Sequence, residues 1–295
     1  MYDIIIIGAG VAGLTSAIYS LNASKKILVL EKQNYGGQII NSSLVDNYPG
    51  LPNTNGFDLA TSIYNQAIDL GCEIKYEEVT KITKDKEIIT TKNKYKAKAI
   101  IIATGLISKK LEVENEDKLI GKGISYCATC DGNFYKDKDV MVVGGGNTAI
   151  EEVNYLSNIC NKVYLVHRRD EFRSNSNLLE KIKNKSNVEI IYNSKVNKIN
   201  GTNLLESVDL IDNSHNIKNI PVSGLFVAIG KTPNNERFKD LIELTGDGYI
   251  KSDNNCSTNI EGIFVAGDVK DKKVRQLVTA TSDGAIAAIE AISYS

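Results

Sequence analysis

The residues with chemistry in them lie in two short runs. The first is Cys127-Ala-Thr-Cys130-Asp131-Gly132, two thiols separated by two residues. Such a pair can cycle between dithiol and disulfide, or supply half of a tetrahedral zinc site. Zinc needs two further ligands, yet Cys72, Cys160, Cys256, His167 and His215 stand as scattered singles. The spacing therefore favours a reversible disulfide, and no metal is expected. Asp131 has two readings, an acid that moves protons during thiol exchange or half of an ordinary Asp-Gly turn. The second run is His167-Arg168-Arg169-Asp170-Glu171-Phe172-Arg173. Its guanidinium forks match phosphate oxygens. The alternative is a solvated basic edge, since Asp170 and Glu171 are interspersed.

The elements that must position these runs occur twice. Asp3 to Lys32 and Asp139 to Arg168 superpose without a gap at an offset of 136 residues, placing Gly8 on Gly144, Gly10 on Gly146 and Gly13 on Ala149. Each copy reads as a short apolar strand, a glycine turn, a helix and a second apolar strand. The first glycine permits the tight turn, the second lets backbone approach a pyrophosphate, and the third position stays small for helix–strand packing. The helix N-terminus offers free N–H groups and a positive dipole end to phosphates. At the end of the second strand the copies diverge, Glu31 falling on His167. A carboxylate accepts ribose hydroxyls and repels a 2′-phosphate, so the first site suits a flavin nucleotide or NAD. The cations suit the 2′-phosphate of NADPH over NADH.

With these residues in place, the chain resembles the low-molecular-weight bacterial thioredoxin reductases, flavoprotein pyridine nucleotide-disulfide oxidoreductases, over essentially its whole length. The motifs that carry the resemblance are GAGVAG (8–13), GGQ (36–38), DNYPG (46–50), IIATG (101–105), CATCDGNFY (127–135), GGGNTA (144–149), HRRDEFR (167–173), GLFVAIGKTPN (224–234), VAGDV (265–269) and RQLVTATSDG (275–284). Asn147 stands where many relatives carry an acid, and both cap a helix start comparably. The resemblance implies an α/β chain of two Rossmann-like nucleotide-binding domains, the NADPH domain (111–231) inserted into a discontinuous FAD domain (1–110 and 232–295). It implies FAD along Gly8, Gly10, Ala12 and Gly13, with Glu31 at the adenosine ribose. Gly37, Gln38, Asn47, Thr104, Gly105, Gly267, Asp268, Arg275, Gln276 and Ala280 would complete that site. Taken singly, GGQ, DNYPG and Gly267-Asp268 are also ordinary turns. NADPH would meet Gly144, Gly146, Asn147, Thr148, His167, Arg168, Arg169 and Arg173.

The implied reaction is NADPH-dependent reduction of thioredoxin through FAD and the Cys127/Cys130 pair. Cys130 would face the flavin, Cys127 would attack the partner disulfide, and Asp131 would serve as the acid. Family members form homodimers and rotate one domain, with turning points here near Lys109–Leu111 and Gly230–Pro233. The rival readings are reduction of another dithiol partner, glutaredoxin-like or a peroxiredoxin module, and a flavin redox sensor without turnover. A ferredoxin-fed relative is disfavoured by the intact HRRDEFR.

Length and composition are consistent with this. At 295 residues the chain holds two ordinary domains. Lys plus Arg 35 against Asp plus Glu 36 leaves no basic excess for nucleic acid. No apolar run reaches a membrane span, and with a strand expected from Asp3 to Ile7 at the start, no signal peptide is expected. A redox CxxC without export fits the cytoplasm. The segment Lys109 to Lys122 reads as a charged connector, the tail as a short apolar strand at Ile263–Ala266 and a helix over Ala280–Ile292.

Overall fold

Strand Tyr2–Ile7 (YDIIII) is buried along its last four residues. A run of isoleucines without alternation belongs to a strand covered on both faces, as in parallel sheets. In the computed structural model, which describes residues 1–42, 44–172 and 177–295, it is indeed a central strand. It pairs in parallel with Ile27–Glu31 on one side and Lys94–Ile102 on the other. Ile74–Tyr76 extends the sheet beyond Ile27–Glu31. The long strand Lys94–Ile102 is shared. Its first half pairs antiparallel with the hairpin strand Glu87–Thr90, and its second half pairs in parallel with Ile263–Val265. The tail thus returns to the N-terminal sheet through Ile263 opposite Ile100.

Two compact units result, Met1–Ile107 with Thr232–Ser295, and Ser108–Lys231. In the first, one core cluster gathers Ile4, Ile6, Leu14, Val29, Ile101 and Ala288, and another gathers Ile5, Leu28, Ile88, Ile100, Phe238 and Val265. Even and odd positions of one strand therefore feed opposite faces. The last helix, Leu277–Tyr294, is longer than the alanine-rich stretch suggested, because Gln276 and Thr279 form a reciprocal cap. It packs on helix Val11–Asn22 at backbone range. A Cβ on Gly284 would lie 2.4 Å from Ala12 O, and Ser16 Oγ donates to Gly284 O at 2.8 Å.

The second unit repeats the plan. Its parallel sheet runs Val188–Ile191, Lys162–Val166, Asp139–Gly144, Gly224–Ala228, Ile124–Ser125, beside an antiparallel layer of Ser194–Asn200, Ser207–Asp212 and Ile217–Pro221. In each unit the glycine turn leaves the C-terminal end of a central strand whose neighbours lie on both sides, the crevice where open α/β sheets bind ligands. The charged connector is partly a misnomer. Glu116, 3% exposed, accepts from Leu111 N and Glu112 N at 2.8 Å each and from Tyr126 OH at 2.7 Å. One buried carboxylate ties down that segment, and hydrophobic pattern alone could not show it. No helix among the described residues is long and apolar enough to cross a membrane.

Candidate functional site: two glycine turns and a redox turn

In the first turn each glycine has a separate physical duty. Gly8 has φ 109°, and a Cβ there would sit 2.3 Å from Ala103 O. A Cβ on Gly13 would fall 1.9 Å from Gly8 O, so the helix seats directly on the turn. Gly10 is different, its nearest would-be neighbour being Gly37 Cα at 3.8 Å. The first and third glycines close the fold, and the second leaves space above the helix N-terminus. Glu31 reaches back to this turn, Oε2 accepting from Ala9 N at 2.7 Å and Oε1 from Gln33 N at 2.8 Å.

Of the remaining residues expected at this site, Gly37, Thr104 and Gly267 come against the same turn or the start of its helix, and the others contact residues near these in sequence or one another. A Cβ on Gly37 would lie 3.1 Å from Gly10 Cα, and one on Gly267 2.9 Å from Ala12 Cβ and 4.0 Å from Ala280 Cβ. Thr104 follows Ala103 beside Gly8, and Gly105 follows it with φ 62°. Gln38 Nε2 donates to Leu106 O at 3.0 Å, and Asn47 Nδ2 to Gln276 Oε1 at 3.3 Å. Arg275 Nε donates to Asp268 O at 3.1 Å, its guanidinium lying 3.9 Å over the ring of Tyr249. Asp283, 9% exposed, supports the Gly267 turn, accepting from Gly267 N at 3.2 Å and Lys272 Nζ at 2.6 Å. Segments separated by more than 200 residues thus line one turn.

The second turn follows the same logic with one adjustment. A Cβ on Gly144 would meet Ala228 O at 2.4 Å, while one on Gly146 would have nothing within 4 Å among the described residues. Asn147 and Thr148 open helix Asn147–Leu156 and are exposed. Ala149 takes the place of Gly13. Arg168 and Arg169 are exposed, and among the described residues neither guanidinium is held by a carboxylate. His167 is placed otherwise. It is 7% exposed, its Nε2 donates to Glu171 O at 2.9 Å, and its ring stacks on Phe172 at 4.9 Å. Arg173 lies outside the described residues.

The thiol pair forms a disulfide, Cys127–Cys130, across the four-residue helix Ala128–Asp131. Cys127 is half-buried and Cys130 exposed. Cys127 Sγ accepts from Cys130 N at 3.2 Å. Ser125 Oγ donates to Asp131 Oδ2 at 2.6 Å and accepts from Cys127 N at 3.0 Å. Asp131 is thereby both a turn residue and a carboxylate held beside the pair. A Cβ on Gly132 would strike the Tyr155 ring at 2.8 Å, so the redox turn rests on the flank of the nucleotide helix. The remaining thiols are buried, and burial, assisted by nearby carboxylates, pushes Cys72 up to about 12 and Cys160 up to about 11. Thiols that ionise so late are poor nucleophiles.

Residues 2–284 match the pyridine nucleotide-disulphide oxidoreductases. The chain belongs to that family. It is 41% identical to the thioredoxin reductase of Listeria monocytogenes, over 100% of this chain and 94% of the relative. The thioredoxin reductase of Lactococcus lactis superposes with a TM-score of 0.91 at 36% identity, covering 100% and 99% of the two chains. That of T. acidophilum superposes at 0.88 with 32% identity, covering 99% and 98%.

Two residues of this family member escaped the motif reading. Ser125 orients Asp131, and only its position two residues before Cys127 hints at it. Glu152, 9% exposed, reaches from the nucleotide helix to the redox turn, its Oε1 accepting from Ala128 N at 3.4 Å. A glutamate in a helix otherwise reads as solvent-facing, and only the docking of the redox turn buries it.

Proposed function

We propose that this protein uses NADPH to reduce the disulfide of thioredoxin, through FAD and the Cys127–Cys130 pair. The observation that carries the proposal is the redox disulfide seated on the same helix that opens the second nucleotide turn. The unit Met1–Ile107 with Thr232–Ser295 holds FAD, and Ser108–Lys231 holds NADPH. The residues present fit both groups. Thr104 Oγ1 is buried next to the first turn without a hydrogen-bond partner among the described residues, and the space at Gly10 is open to a pyrophosphate. At the second turn Gly146 is open and, among the described residues, no carboxylate holds Arg168 or Arg169 away from a 2′-phosphate.

When bound, FAD supplies the two-electron relay between NADPH and the disulfide. The protein's own residues do the rest. The N–H of Cys130 stabilises negative charge on Cys127 Sγ, which favours Cys127 as the attacking thiolate. Cys127 Sγ attacks the partner disulfide, forming a mixed disulfide and releasing one partner thiolate. Cys130 Sγ then attacks Cys127 Sγ, releasing the second thiolate and restoring the internal disulfide. Asp131, oriented by Ser125, holds and delivers the proton exchanged with the thiols. The working protein is a cytoplasmic homodimer.

The test is NADPH oxidation by the purified yellow protein against a panel of thioredoxins, glutaredoxin-like proteins and peroxiredoxin modules. Efficient turnover with a thioredoxin is expected. Turnover with none of the panel, or a protein that carries no flavin, would overturn the proposal.

A further inference from the structure

The internal repeat exposes a pair of positions that exchange together. Ala9 falls on Gly145, and Glu31 falls on His167. In the first copy the buried Ala9 gives its N–H to Glu31 Oε2 at 2.7 Å, leaving the carboxylate at the mouth of the turn. In the second copy the imidazole occupies the volume that a side chain at 145 would need. A Cβ on Gly145 would lie 2.1 Å from His167 Cε1, 2.2 Å from Nδ1 and 2.7 Å from Nε2. The backbone of Gly145 is outside the left-handed region, so the ring itself opposes a side chain there. Two further contacts of the ring, Phe172 on its face and Glu171 O at Nε2, come from the turn that follows Arg168 and Arg169. The chain before and after is pinned by His167 N to Ile191 O at 2.9 Å and Ser194 N to His167 O at 3.1 Å.

We infer that Gly145 and His167 act as one specificity-determining unit of the second nucleotide site. The glycine makes room for the imidazole beneath the turn. The imidazole removes the ribose-binding carboxylate of the first copy and braces the loop from which Arg168 and Arg169 project toward a 2′-phosphate. His167 is thus a positioning residue rather than a third phosphate-facing cation. The inference rests on the reading of this turn as the NADPH site.

The experiment is a double-substitution cycle in the full-length, FAD-loaded protein, comparing Gly145→Ala, His167→Ala and the double variant. Binding of adenosine 2′,5′-bisphosphate is measured by titration calorimetry, which reads the adenosine end without turnover. Gly145→Ala is expected to weaken binding about tenfold or more, because the overpacked ring must move. His167→Ala should cost about threefold, and the double variant should match His167→Ala, since the colliding ring is gone. Losses that multiply in the double variant, or Gly145→Ala binding as the unmodified protein does, overturn the coupling. Should Gly145→Ala fail to fold, recovery of a normal melting transition by the added His167→Ala reads the same coupling, and no recovery overturns it. If the unmodified protein binds adenosine 5′-monophosphate as tightly as the bisphosphate, the NADPH reading itself fails, independently of the cycle.

Discussion

Glu152 Oε1 accepts from the backbone N–H of Ala128 at 3.4 Å, joining the nucleotide helix to the residue after Cys127. The other oxygen, Oε2, is buried without a hydrogen-bond partner among the described residues. Burial lifts this carboxyl from its ordinary 4.5 to about 7, with Glu151 pushing the same way and the Ala128 N–H and Lys231 pulling against it. A carboxyl raised in the folded state binds its proton more tightly there than in the unfolded chain. Its stabilising contribution is full below about pH 4.5 and is lost as pH rises through about 7. Glu152→Gln should remove that loss, gaining on the order of 3 kcal/mol on the unmodified protein between pH 4.5 and pH 8. Urea unfolding at several pH values checks this, and parallel pH profiles for the two proteins would refute it.

The two cysteines should behave differently toward a partner. In the proposed roles, Cys130→Ser leaves Cys127 without the thiol that resolves its mixed disulfide. It is expected to trap a covalent complex with a thioredoxin that lacks its own resolving cysteine, visible on a non-reducing gel. Cys127→Ser should trap little. The opposite pattern would transfer the nucleophile's role to Cys130.

Arg168 is exposed beside the second turn, so its removal should affect nucleotide choice without disturbing the fold. A charge-assisted contact to phosphate is worth roughly 1.5–3 kcal/mol. Arg168→Ala should therefore weaken NADPH use about 10- to 100-fold and leave NADH use nearly unchanged. Equal losses with both nucleotides would show that Arg168 does not read the 2′-phosphate.

Gly284 sets the approach of the last helix to the first. A side chain there meets Ala12 O at 2.4 Å and Thr15 Cβ at 3.0 Å, both on the helix that follows the first glycine turn. Gly284→Val should destabilise the protein by about 1–3 kcal/mol and loosen FAD, because the helix carrying Ala280 must move away from Gly267. Flavin fluorescence released during a thermal melt reports it. A melt and a flavin content equal to those of the unmodified protein would argue that the helices separate at no penalty.

Much of this protein could be read from its residues alone, because the constraints are local. A glycine turn between an apolar strand and a helix carries its own steric signature within about thirty residues, and here it occurs twice. Two thiols two residues apart need no distant partner to form a disulfide. The divergence of Glu31 from His167 is likewise visible at aligned positions. Other features depend on which distant segments pack together. The tail strand Ile263–Val265 enters the first sheet by pairing with Ile100–Ile102, a contact that no local pattern specifies. Glu152 looks like a surface charge in sequence and becomes a buried acceptor once the backbone N–H of Ala128, from another segment, reaches it. His167 reads as one more cation in a basic run, yet the space over Gly145 and the face of Phe172 draw its ring inward. The type of a residue sets which interactions it can make. Only the folded chain decides whether water, a neighbouring ring or a backbone N–H supplies them.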